Sequence, residues 1–108
     1  MNYYESMLIF DPDLTEKEVK EENDKIIDLI AKSKGDTVKT DYIGRRTLAY
    51  LIKKKREGYY LVNYFQLPPT EVGKIERYYL LADKILRFNL LTMNKADKEV
   101  VLSEENQS

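Results

Sequence analysis

The side chains best equipped for chemistry form one cationic run. Between residues 39 and 58 the chain holds seven bases (Lys39, Arg45, Arg46, Lys53, Lys54, Lys55 and Arg56) against two acids, a local charge of +5. Arginine offers a rigid fork of donors that matches phosphate oxygens, and lysine a mobile point charge. The chemistry such a run provides is the binding of a polyanion. Covalent and acid–base chemistry is poorly provided for. The 108 residues contain no Cys, no His and no Trp. That removes thiol nucleophiles, disulfides, Cys/His metal sites and imidazole bases. It also fits a reducing compartment. No catalytic residue, metal ligand or cofactor is assigned.

The net charge of −1 conceals a segregated chain: residues 1–30 carry −6 and the last thirteen carry −3. Fields are screened over about 8–10 Å at physiological salt, so a phosphate chain responds to the local potential. The plain alternative is that the run is a solvated polar loop. No stretch of ~18 apolar residues is present, so no membrane-spanning helix is expected. The start, Met1 to Phe10, lacks the basic region and small-residue cleavage site of a signal peptide.

Regular elements must position these cations. Tyr3–Phe10 reads as a strand, with Ser6, Leu8 and Phe10 on one face and Met7 and Ile9 on the other. Being apolar on both faces places it centrally in a sheet. Thr15 and Glu18 form a capping box, with Leu14 and Val19 as its hydrophobic staple. Val19, Asn23, Ile26, Ile27 and Ile30 trace one face of the helix that follows, and Gly35 is its stop. Thr37–Ile43 alternates as an exposed strand, Gly44 interrupts it, and Leu48–Ile52 resumes. Lys53–Gly58 is expected as a polar loop and Tyr59–Leu67 as a strand, together a long hairpin with a basic tip. Thr70 is the expected cap of a second helix reaching Ala82, and Ile85–Met93 is the last strand.

The order β-α-β-β-α-β predicts an α+β, ferredoxin-like fold: a four-stranded antiparallel sheet with two helices on one face. The domain is expected over residues 1–95, with 96–108 as an acidic flexible tail. This plan hosts several functions. An RNA-recognition signature would fall on Gly58–Tyr64, but Leu61 stands where the central stacking aromatic belongs and Glu57 where a base belongs. A phosphatase reading would use Arg87 and Asn89, but Asp11-Pro12-Asp13 follows the first strand in place of a Gly-rich anion loop. A small-molecule-binding regulatory domain remains the alternative. Within the cationic run, Gly44 before Arg45 and Arg46 permits a bulge that would let both arginines reach one ligand. The competing explanation is an edge strand charged against aggregation.

The run Gly44-Arg45-Arg46-Thr47-Leu48-Ala49-Tyr50-Leu51-Ile52-Lys53-Lys54, with the Gly58-Tyr59 pair after it, resembles the bacterial small-subunit ribosomal protein six family. Tyr4, Glu5, Ile9, Pro12 and Leu14 match its opening, and Asp83, Ile85 and Arg87 a late motif. Leu51 departs from a proline frequent in the family, and Asn2 and Tyr3 stand where arginine occurs in some members. The resemblance implies a non-enzymatic, cytoplasmic component of the ribosome. It implies binding to small-subunit ribosomal RNA in the central domain, the platform, cooperatively with ribosomal protein eighteen as a heterodimer, and a monomer when isolated. Tyr4, Arg45, Arg46, Tyr50 and Arg87 carry over as RNA- or partner-facing groups, and Lys53, Lys54, Lys55 and Arg56 join them on charge. A more basic partner would reconcile RNA binding with the low net charge.

Overall fold

The computed structural model describes residues 1–93. The expected acidic tail, 96–108, and the last two residues assigned to the domain lie outside them. The elements are β1 (Asn2–Phe10), α1 (Glu16–Lys32), β2 (Asp36–Ile52), β3 (Lys55–Leu67), a short 3-10 turn (Pro69–Glu71), α2 (Val72–Leu81) and β4 (Ile85–Met93). The strands lie in the order β2-β3-β1-β4, and every neighbouring pair is antiparallel. This is the ferredoxin-like plan, with β1 in the interior of the sheet, where its two apolar faces placed it. No helix among the described residues is long and apolar enough to cross a membrane.

The capping box forms as its spacing requires: Glu18 N–H donates to Thr15 Oγ1 at 3.1 Å, and Thr15 N–H donates to Glu18 Oε1 at 3.0 Å. Val19, Asn23, Ile26 and Ile30 are buried against the sheet. The second helix starts differently from expectation. Thr70 makes no cap; Pro69–Glu71 winds a 3-10 turn, and α2 begins at Val72 without a side-chain cap. Pro68-Pro69 explains the change, since a fixed φ and a missing donor favour a short turn before the helix.

Between helices and sheet lies the main core, built on Leu8, Phe10, Leu61, Phe65, Ile26, Ile30, Ile75 and Tyr79. Two polar links cross it. Ser6 Oγ meets the Tyr79 hydroxyl at 2.7 Å. Asn23 and Asn63 pair their amides, and Thr40 joins through its hydroxyl.

Burial pushes the Tyr79 phenol up to about 12, against the opposing pull of the Ser6 bond. Between about pH 10 and pH 12 the unfolded phenol loses its proton while the native one keeps it. The native state then binds more protons, so stability falls as pH rises through this window and is intact below it. Burial shifts Tyr59 and Tyr78 the same way. Tyr79→Phe should therefore make the loss of urea resistance from pH 8 to about pH 11 shallower without abolishing it. An equally steep loss in the variant would place the alkaline sensitivity elsewhere.

Candidate nucleic-acid interface

The hairpin tip is much tighter than a six-residue loop. Ile52 pairs with Lys55, so only Lys53 and Lys54 turn the chain. Both have positive φ, 49° and 67°, the backbone of a two-residue type I′ hairpin. The polar residues Lys55, Arg56 and Glu57 are thus strand, and the loop expected over 53–58 is corrected to a two-residue turn. β2 likewise runs on through Gly44. There a register shift between Tyr42 and Gly44, with φ +101° at Gly44, absorbs the irregularity as a bulge. No other residue type adopts that φ without strain.

The bulge precedes the two arginines and does not fall between them. Arg45 therefore pairs with Tyr59 and Arg46 with Gly58, and successive side chains go to opposite faces. Arg45 turns to the helix side, where its Nη2 donates to the Leu14 carbonyl at 3.1 Å and ties β2 to the start of α1. Arg46 is on the open face, exposed, with Nη1 donating to the Arg45 carbonyl at 2.9 Å. The two do not converge on one ligand.

A bulge of the kind imagined for the arginines occurs in β4 instead. Ile9 pairs with Arg87 and Phe10 with Ile85, so Leu86 is the extra residue. Leu86 and Arg87 then both lie on the open face. Leu86 joins Ile9 and Leu48 in a second small core, with Ile52 and Tyr60 packed against it. To reach it, the far half of β2 departs from the ladder between Thr47 and Ile52 and folds over the open face. Tyr50 thereby meets Arg87: the guanidinium donates to the Tyr50 hydroxyl and lies 5.8 Å from the ring centroid.

Two concavities flank this pair. One, about 490 Å³, lies under Tyr50, with Ile9, Leu48 and Tyr60 in its lining and Asn89 at its wall. The other, about 290 Å³, is lined by Lys53, Leu86 and Arg87 among others. Arg87 belongs to both and stands as the ridge between them. Arg46 approaches from β2, three strand spacings from β4, or roughly 14 Å of sheet.

The remaining candidates are dispersed. Lys55 is engaged by the β1–α1 loop, 2.7 Å from Asp13 Oδ2 and 3.7 Å from Asp11 Oδ1. That pairing holds the Asp13 carboxyl below the usual range and raises the Lys55 ammonium. Arg56 lines a shallow depression with Thr47, Leu48 and Leu51, and Leu51 is exposed and stays within β2 despite replacing proline. Lys54 sits at the exposed tip. Tyr4 corrects the expectation most sharply: it is 4% exposed, in the core under the helices and stacked on Phe65 at 5.6 Å. Its place on the same β1 face as Leu8 and Phe10 requires this. Asn89 shares the face of Arg87, as its spacing on the strand required, but Leu86 and Tyr60 were not expected beside the site, since no local signal marks a bulge in β4.

Chemically, the open face presents guanidinium and ammonium groups beside aromatic rings, while the acid-rich helix α1 lies on the opposite side. Comparison with known proteins bears on this arrangement. The family model described as "Ribosomal protein S6" matches residues 3–92. Small ribosomal subunit protein bS6 of Corynebacterium efficiens is 40% identical over 95 residues, covering 88% of this chain and 100% of that protein. The protein of the same name from Helicobacter pylori is 37% identical over 100 residues, covering 93% and 70%. The crystal structure of 30S ribosomal protein S6 from Thermotoga maritima superimposes with a TM-score of 0.84 at 29% identity, covering 95% of this chain and 97% of that one.

Proposed function

Because this chain belongs to the ribosomal protein S6 family, structural proteins of the small ribosomal subunit, we propose that it binds small-subunit ribosomal RNA in the central domain cooperatively with ribosomal protein eighteen. The observation that supports this reading is the convergence of Tyr50 and Lys53, from the hairpin arm and its tip, with Arg87 of β4, distant in sequence, where the open sheet face meets the β4 edge. Arg46 extends the same face, and Lys54 and Arg56 flank it. These cations position the protein on phosphates, while sequence discrimination is left to the folded RNA and the partner. Arg45 and Lys55 hold the hairpin to the loop before α1 and contribute to binding through its placement.

The isolated chain is expected to be monomeric and to form a one-to-one complex with protein eighteen. The heterodimer, titrated with a platform RNA fragment across salt, tests the surface. Arg46→Ala/Arg87→Ala should weaken binding at least 10-fold near 0.1 M salt and flatten the logarithmic salt slope by about 1.4–1.8, at about 0.7–0.9 per lost phosphate contact. Arg45→Ala should lower the melting temperature and leave the slope unchanged. Wild-type affinity and slope in the double variant would sink the proposal for this face.

A further inference from the structure

We propose that the larger groove on the open sheet face receives a single unstacked nucleotide of the bound RNA, its base against Tyr50 and Tyr60 and its phosphate at Arg87 and Lys53. The inference rests on the RNA-binding reading and names what the site takes. Three features carry it. First, the groove has the size and lining of a small-ligand site: about 490 Å³, an apolar floor at Ile9 and Leu48, and two tyrosines. Such a cavity suits a flat base, because every base has a π-face that stacks on an aromatic ring. Second, polar side chains stand beside the rings, Arg87 and Asn89 among them. The exposed Asn89 amide offers a donor and an acceptor to a base edge. Third, the charge is ordered along the path. Arg87 forms the ridge between this groove and the one holding Lys53, and neither groove has an acidic residue in its lining. A base in the first groove thus leaves its phosphate over the ridge, where two cations meet it.

Tyr50 is 60% exposed, so replacing it should leave the fold intact, which urea denaturation will verify. In the heterodimer, Tyr50→Leu should weaken platform RNA binding about 5- to 150-fold, the range of one base–aromatic stack. The salt slope should not change, because no phosphate contact is lost. Tyr50→Phe keeps the ring and loses the hydroxyl that accepts from Arg87; it should bind within about 3-fold of wild type. If Tyr50→Leu unfolds the domain, Asn89→Ala is read instead, with a smaller loss at constant slope. RNA carrying 4-thiouridine at unpaired positions should crosslink to the peptide holding Tyr50 or Tyr60.

Wild-type affinity in Tyr50→Leu, with the Arg46→Ala/Arg87→Ala slope change intact, overturns the nucleotide site and leaves RNA binding standing. Loss of heterodimer assembly in Tyr50→Leu without RNA makes the groove a protein contact and also overturns it. So does uridine monophosphate shifting the Tyr50 and Asn89 amide resonances in a variant series whose RNA affinity never changes.

Discussion

Asn63→Leu is expected to cost roughly 2–4 kcal/mol of folding stability, although leucine has the same branched heavy-atom skeleton as asparagine and the site is fully buried. Asn63 Nδ2 donates to Asn23 Oδ1 at 2.7 Å, and its own Oδ1 accepts from Thr40 Oγ1 at 2.7 Å and from Asn23 Nδ2 at 3.3 Å. Both asparagines are 0% exposed. Removing one partner strands the other amide in the core, and each unsatisfied buried group costs about 1–3 kcal/mol. Removing both together leaves no orphan amide. Asn23→Leu/Asn63→Leu should therefore be more stable than the sum of the single losses predicts, by at least ~1.5 kcal/mol in a double-mutant cycle from urea midpoints. Simple additivity would mean that the pair is not a linked unit. The pair sits where α1 crosses β3, so it fixes the helix register over the sheet and hence the loop that holds Lys55 and Arg45.

What could be read from the chain in advance was local. The capping box, the helix stripe and the apolar faces of β1 are set by residues within a turn or a pleat of one another, and the structure has them as read. Apart from the Thr70 cap, which the neighbouring Pro68-Pro69 displaces, the misreadings turn on strand register and parity. Nothing near Lys53 and Lys54 signals a two-residue turn, since the usual Asn-Gly is missing; the turn follows from Ile52 pairing with Lys55. Arg45 and Arg46 separate because the bulge is spent at Tyr42–Gly44, two residues too early. Tyr4 goes to the core through the parity of β1, which its match to a family motif does not encode. Leu86 and Arg87 share a face only because β1 pairs with both Ile85 and Arg87 across a bulge. The open-face groove is then a product of three register choices. Composition alone, with its seven cations, raised polyanion binding as an expectation and did not say which cations would carry it.

Gly58→Ala tests how that groove is held together, and it should destabilise by roughly 2–3 kcal/mol. Gly58 lies in β3 without a positive φ, so on backbone entropy alone alanine should help by about 0.4–1 kcal/mol. The sign reverses through packing. A Cβ at this position would stand 2.3 Å from Ile9 Cγ2, with Leu48 Cδ2 at 3.6 Å behind it. Ile9 is β-branched and confined by Leu48 and Leu86, so it cannot swing clear without displacing the hairpin arm that carries Tyr50 over Arg87. Ile9→Ala removes the obstructing methyl. Adding Gly58→Ala to that background should then cost less than ~1 kcal/mol, with chemical denaturation reading the coupling. The displaced arm has a second signature: Gly58→Ala, held below its melting point, should weaken platform RNA binding by the heterodimer even though no cation has been removed. A stable Gly58→Ala protein, or an unstable one with unchanged RNA affinity, would separate the closeness of β3 to β1 from the shape of the site. Loss of both together ties the binding face to one glycine on which the hairpin can lie flat.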